Sequence, residues 1–157
     1  MVSKTVRDIL IRDLRPDDVP QVLSNEKVSF TTPWTEILFM NEIFKPRSIP
    51  KAVMIGEMLV GYICANYLLD EGHILNVTVH PDFRMQGIAT HLVGHMLGLL
   101  AAENCKTVFL EVRASNEAAL RMYEKAGFVR IGGRKDYYSL PVEDAVLMAA
   151  YPTRSPQ

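Results

Sequence analysis

Three sets of residues in this chain have types and spacings suited to chemistry. Arg84-Met85-Gln86-Gly87-Ile88-Ala89 puts a basic side chain, a glycine and an alanine between a strand-like run and a helix-like run. A helix N-terminus offers unpaired N–H groups and the positive end of a dipole, and small residues let a ligand approach the backbone. The segment is therefore shaped to hold a phosphate or pyrophosphate. Glu111 is the one acid in the otherwise apolar run from Thr107 to Val112. Such an acid is either paired, with Arg113 or Arg84 in reach along the chain, or turned into a cavity where it can take a proton. Tyr123 is either a core tyrosine with a satisfied hydroxyl or a proton donor. Asn116 fits a helix cap.

These residues must be positioned by the elements around them. Val77 and Val79 alternate with Thr78 as in a half-buried strand, and His80-Pro81-Asp82 ends it because proline cannot donate to a ladder. From Ile88 the spacing turns helical through Leu92, Met96 and Leu99, beside Val93, Leu97 and Leu100, as far as Asn104. Upstream, Val6 to Leu14 is expected as a first strand. Asp17 is expected to cap a helix with Val19, Val22, Leu23 and Val28 on its apolar stripe. Phe30-Thr-Thr-Pro-Trp34 interrupts it, and Thr35 caps a second helix that stops before Pro46. Lys51 to Ile55 and Met58 to Leu69 form a hairpin around Gly56-Glu57, and Asp70-Glu-Gly72 turns into a strand from His73 to Val79. After Thr107 to Val112, Ser115 or Asn116 caps a short helix closed by Ala126-Gly127. Phe128 to Ile131 and Ala145 to Ala150 are the last strands. The pattern predicts one α/β (α+β) domain, residues 1–151, with about seven strands and four helices, and a loose tail at 152–157. The long helix makes strands four and five parallel neighbours.

Composition narrows the function. The chain has 157 residues, 48% hydrophobic and 22% charged, as an ordinary globular domain has. Its net charge of −1 gives no footing for non-specific nucleic-acid binding. No apolar run is long enough to span a bilayer, and no signal-peptide core is present, so the expected compartment is the cytoplasm. Cys64 and Cys105 sit in apolar segments and are expected buried and reduced. The dinucleotide pattern Gly-x-Gly-x-x-Gly and the triphosphate pattern Gly-Lys-Ser/Thr are both absent. His91 and His95 have a zinc-compatible spacing without an evident third ligand, so no metal is expected. His73 and His80 are expected to be exposed.

Val77-Thr-Val79, Pro81, Arg84-x-x-Gly87-x-Ala89, Leu110-Glu-Val-Arg-x-Ser-Asn116 and Met122-Tyr123-Glu-x-x-Gly127-Phe128 together closely resemble the GNAT acetyltransferase superfamily. Arg134-Lys-Asp-Tyr137-Tyr138 with Glu143-Asp144-Ala145-Val-Leu-Met148, and Pro33-Trp34, are similar to its RimI-like N-terminal protein acetyltransferases. The resemblance covers nearly the whole chain. It implies a GNAT domain whose parallel strands four and five splay apart, and acetyl-coenzyme A as cosubstrate. The coenzyme's pantetheine would lie on Val77, Thr78 and Val79 and reach Asn116. Its pyrophosphate would lie on the backbone of Arg84, Met85, Gln86, Gly87, Ile88, Ala89 and Thr90. Ala89 stands where a glycine is often found.

By the same resemblance Glu111 is the base, directly or through a water, and its burial should raise its pKa toward a useful range. Tyr123 is the acid that protonates the departing thiolate, and a Val79 N–H stabilises the oxyanion. Trp34, Tyr137 and Tyr138 would flank the acceptor, with Trp34 equally well explained as a hydrophobic staple ahead of the Thr35 cap. Ser139-Leu-Pro-Val replaces a longer, more polar loop of relatives. The implied partner is a protein N-terminus, with a ribosomal protein as the specific expectation, for a monomer or weak homodimer. The alternatives are a lysine or small-amine acetyltransferase, or a coenzyme A-binding module without catalysis.

Overall fold

The structure is a computed structural model that describes residues 8–152. Seven strands form one mixed sheet: β1 (Leu10–Asp13), β2 (Lys51–Ile55), β3 (Met58–Leu68), β4 (Glu71–Val79), β5 (Thr107–Arg113), β6 (Val129–Tyr138) and β7 (Glu143–Ala150). Their order is β1-β2-β3-β4-β5-β7-β6, antiparallel except for the β4–β5 pair. The helices are α1 (Val19–Ser29), α2 (Glu36–Phe44), α3 (Ile88–Ala102) and α4 (Glu117–Lys125). The crossover from β4 through α3 to β5 makes those two strands parallel, as the chain order predicts.

The two faces of the sheet bury different cores. On one, α3 and α4 lay Ile88, Leu92, Met96, Leu100, Leu120 and Tyr123 over Val108, Leu110 and Val112 of β5. On the other, Val19, Val22 and Phe39 cover Ala52, Leu59, Tyr62 and Cys64. Leu and Met at helical spacing on α3, facing every second residue of β5, produce the first core by pattern alone.

Several boundaries differ from the sequence pattern. Residues 6 and 7 of the expected first strand, and 153–157 of the expected tail, lie outside the described residues. Asp17 does not cap α1. A 3₁₀ turn at Pro16–Asp18 intervenes, and Asp18 instead accepts two bonds from Arg12, at 2.8 and 2.9 Å, and one from the Arg15 N–H. β4 starts at Glu71, inside the expected turn, and β6 runs seven residues past Ile131 to Tyr138. The β6 edge strand buries almost nothing, so no alternation marks its length. Thr35 and Asn116 do cap α2 and α4, accepting from Leu38 N and Ala119 N. Cys64 and Cys105 are both buried free thiols.

Candidate active site

The parallel ladder between β4 and β5 has three rungs and ends at His73–Phe109. β4 stays paired to β3 as far as Gly61–Val79, so beyond His73 it is β5 that leaves. A bulge helps part them: Cys64 faces Asn76 and Ala65 faces Ile74, which leaves Leu75 as an extra residue on β4. The His80 N–H donates to Val60 O at 2.8 Å, which makes Gly61–Val79 a non-hydrogen-bonded pair. By alternation, Val79 and Val77 turn their main-chain groups away from β3 toward the gap. Thr78 turns its own to β3, and its hydroxyl bonds Asn76 at 2.7 Å. Thr78 is thus oriented away from the gap that the other two line.

At the end of β4 the chain makes a 3₁₀ turn, Pro81–Phe83, and enters α3 through Gly87. Met85 and Gly87 have φ of 63° and 82°. The left-handed conformation at Gly87 costs glycine nothing and costs an L side chain roughly 1–2 kcal/mol. The first backbone bond across the start of α3 is His91 N to Gly87 O, 3.0 Å, so the N–H groups of Ile88, Ala89 and Thr90 have no intrahelical partner. The first turn of α3 carries no acidic side chain. This donor set fits a phosphate group. Arg84 serves the loop's shape: its Nε donates to Val79 O at 3.1 Å, its Nη2 to Ser29 Oγ at 2.9 Å, and its own N–H closes the turn onto Pro81. Met85 is fully exposed.

On the α1–α2 face a cleft of about 270 Å³ opens beside Glu111, lined by Trp34, His73, Leu75, Tyr137 and Tyr138. Glu111 pairs with neither Arg113 nor Arg84; its Oε2 lies 2.6 Å from His73 Nε2. That bond, more than any other influence, holds the Glu111 carboxyl below its ordinary range, against the opposing effect of burial. The expectation of a raised pKa at Glu111 is therefore corrected. His73 is corrected likewise: it is half-buried and engaged. His80 caps its turn by accepting from Asp82 N.

Arg113 instead props the cleft wall. Its guanidinium lies 4.5 Å under the Tyr138 ring and donates to Ser139 O and Pro141 O at 2.8 and 3.0 Å. Burial, with Tyr137 and Glu111 adding to it, pushes the Tyr138 phenol up to about 12. Trp34 is a hydrophobic staple and also lines the cleft. It is the residue before the Thr35 cap and packs on Phe39 with centroids 5.1 Å apart.

Under Trp34 lies Glu26, fully buried on α1. Its Oε1 accepts from the Trp34 N–H at 2.9 Å, and its Oε2 accepts from Tyr62 Oη, Asn76 Nδ2 and Thr78 Oγ1 at 2.5, 3.2 and 3.4 Å. A buried carboxylate with all these donors is satisfied, and it ties the Trp34 loop to β3 and β4. A second groove of about 810 Å³ shares Trp34 and Leu75 with the cleft and runs along α2 past Leu38, Asn41 and Phe44.

Residues 10–128 match the model of the acetyltransferase (GNAT) family. The chain belongs to the GNAT acetyltransferase family. It is similar to the putative ribosomal protein bS18-alanine N-acetyltransferase of Bacillus subtilis, 32% identical over 88% of this chain and 92% of that one. It is equally similar, 32% over 88% of this chain and 95% of the relative, to the ribosomal protein bS18-alanine N-acetyltransferase of Escherichia coli K12. The crystal structure of the Escherichia coli ribosomal-protein-S18-alanine N-acetyltransferase superposes with a TM-score of 0.86 at 29% identity, covering 95% of this chain and 97% of that one. This GNAT protein is an enzyme, an acetyl-coenzyme A-dependent N-acetyltransferase.

Two further residues named by the resemblance, Tyr123 and Asn116, lie on or at the start of α4. Tyr123 lies in the α3–α4 core, across the sheet from the cleft, stacked edge-on to Phe128 at 5.7 Å. Burial first, then the neighbouring Tyr138, raises its pKa, so its proton stays on at neutral pH. Asn116 uses Oδ1 to cap α4, accepting from Ala119 N at 3.1 Å. Among the described residues no three His, Cys, Asp or Glu side chains gather, and His91 and His95 are exposed on α3.

His73, Leu75, Glu26 and Arg113 are the site residues that the sequence pattern missed. For Glu26 a signal existed: it sits seven after Val19 and four after Val22, on the buried stripe of α1. For His73 none did, since its partner lies 38 residues away.

Proposed function

We propose that this enzyme acetylates the N-terminal α-amino group of a protein. The observation that carries the proposal is the position of Glu111, on the strand that departs just past the last β4–β5 rung, in a cleft walled by Trp34, Tyr137 and Tyr138. Such a cleft admits an extended chain end between aromatic walls. An α-amine, with a pKa near 7.7–8.0, is far easier to deprotonate at neutral pH than a lysine near 10.4.

Acetyl-coenzyme A supplies the activated acyl thioester. Val77 and Val79 offer main-chain groups to its pantetheine, and the Gly87–Thr90 turn offers N–H groups to its pyrophosphate. Asn116 stands at the start of α4 to contact the same arm. Glu111 is the charged part of the base that draws the proton from the acceptor ammonium, directly or through an intervening group. The amine nitrogen then bonds the acetyl carbon, the Val79 N–H steadies the oxyanion, and the carbon–sulfur bond breaks. Tyr123 returns a proton to the departing thiolate. The named activity of the relatives makes an N-terminal alanine, as on a ribosomal protein, the first acceptor to try.

Coenzyme A release is to be measured with two matched peptides, one with a free N-terminal alanine and no lysine, the other blocked and carrying one lysine. Turnover on the first alone is expected. Turnover on the second alone would make the enzyme a lysine acetyltransferase. Silence on both with coenzyme bound would replace the proposal with a small amine acceptor or a non-catalytic binder.

A further inference from the structure

We propose that His73 is the atom-level base of this enzyme, with the acceptor's proton resting on its Nδ1 while Glu111 holds the opposite edge of the ring. The inference rests on the acceptor role proposed above and names the residue that performs the proton transfer.

Hydrogen-bond geometry carries it. His73 Nε2 and Glu111 Oε2 are 2.6 Å apart. A carboxylate can only accept, so the bond requires a proton on Nε2. A neutral imidazole protonated at Nε2 has its lone pair on Nδ1. Nδ1 makes no hydrogen bond among the described residues. The pair is therefore pre-set in one tautomer, with a free basic nitrogen on a residue that lines the cleft. Its backbone is fixed by pairing on both sides, to Asn66 of β3 and to Phe109 of β5. Ile74, next in the chain, points into the α3–α4 core, so His73 is directed to the acceptor face.

Proton affinity points the same way. An ordinary carboxylate near 4.3 is more than three units below an α-amine, whereas an ordinary imidazole near 6.5 is much closer. Transfer is most efficient when the base is matched to its donor and to the working pH. The bond from His73 moves Glu111 further from that match. As an anion beside the ring, however, Glu111 stabilises the imidazolium that forms. The other titratable groups facing the pair are Tyr137 and Tyr138 from β6, and Arg134, whose charge acts on Glu111. Asn66 and Trp34 add no charge. The first proton leaves the ammonium for Nδ1, the nitrogen lone pair attacks the acetyl carbon, and the carbon–sulfur bond breaks. The thiolate takes a proton from Tyr123, the second N–H proton restores Tyr123 through solvent, and the imidazolium gives its proton to solvent as product leaves.

The test compares wild type, His73→Gln and Glu111→Gln on the N-terminal alanine peptide across pH. His73→Gln keeps an amide donor for Glu111 but has no basic nitrogen. Its kcat is expected to fall about 100-fold, within the usual reach of general-base catalysis. Its KM for acetyl-coenzyme A should be unchanged, and the acidic limb that a titrating base gives kcat/KM should disappear. Glu111→Gln should keep that limb and lower kcat less than His73→Gln does, because the basic nitrogen is still present. A His73→Gln enzyme within threefold of wild type with the same profile would overturn the proposal and leave Glu111 as the sole base. Nitrogen NMR of the imidazole gives an activity-independent check. The Nε2–H tautomer is expected at neutral pH, and an Nδ1–H tautomer would overturn it. A wild-type enzyme inactive on α-amines but showing the expected tautomer would remove the acceptor assignment instead.

Discussion

The turn before α3 is one unbroken segment, Arg84 to Thr90, and what it offers a ligand is mostly backbone. The cleft beside Glu111 draws side chains from the loop before α2, from the middle of β4 and β5, and from the far end of β6. A backbone site depends on φ and ψ and tolerates most side chains, as the fully exposed Met85 illustrates. A side-chain site depends on which groups several distant elements bring together, and each of them can be changed separately. Perturbations should therefore separate into coenzyme effects at the turn and acceptor effects at the cleft.

The largest separation is expected from Glu111→Gln. Turnover should fall by no more than the roughly 100-fold expected of His73→Gln, while calorimetry should find coenzyme affinity unchanged. A matching loss of coenzyme affinity would break the contrast. Gly87→Val attacks the other side. The left-handed backbone there should cost roughly 1–2 kcal/mol, or about tenfold in coenzyme KM, with acceptor KM untouched. Steady-state kinetics with each substrate varied in turn would show it.

Trp34→Ala is expected to raise acceptor KM about fivefold, with coenzyme KM unchanged. It should also cost about 0.5–1.5 kcal/mol in urea unfolding through the lost contact with Phe39. The smallest effect concerns pH and stability. The folded-state pKa of Glu111 is below its unfolded value, so its contribution is present above the unfolded pKa and is lost as pH falls through the folded one. The stability gap between wild type and Glu111→Gln should thus narrow as pH drops from about 7 to about 3. A gap that widens on acidification would contradict the direction assigned to Glu111.

The same contrast explains what was legible in the sequence. The turn is local, so glycine, arginine and the onset of helical spacing announced it in a few consecutive residues. The caps Thr35 and Asn116 were legible for the same reason. The resemblance supplied Glu111 but not its partner, because the His73 contact forms only where β4 and β5 part. Burial does act upward on the Glu111 pKa as expected, but the His73 bond outweighs it and reverses the net direction. The Leu75 bulge depends on β3 register, which no run of β4 residues encodes. The length of β6 was missed because an exposed edge strand has no buried face to pattern.

Glu26 accepts from the Trp34 amide eight residues along, and from Tyr62, Asn76 and Thr78, which are 36, 50 and 52 residues away. The carboxylate cannot be fully solvated by protein donors until β3 and β4 have paired, so the Trp34 loop is locked only after the sheet exists. Once locked, that amide proton is held by Glu26, and its deuterium exchange reports the free energy with which the loop lifts from α1. The Trp34 N–H is thus a built-in gauge of how firmly the acceptor-side wall is held, readable without substrate.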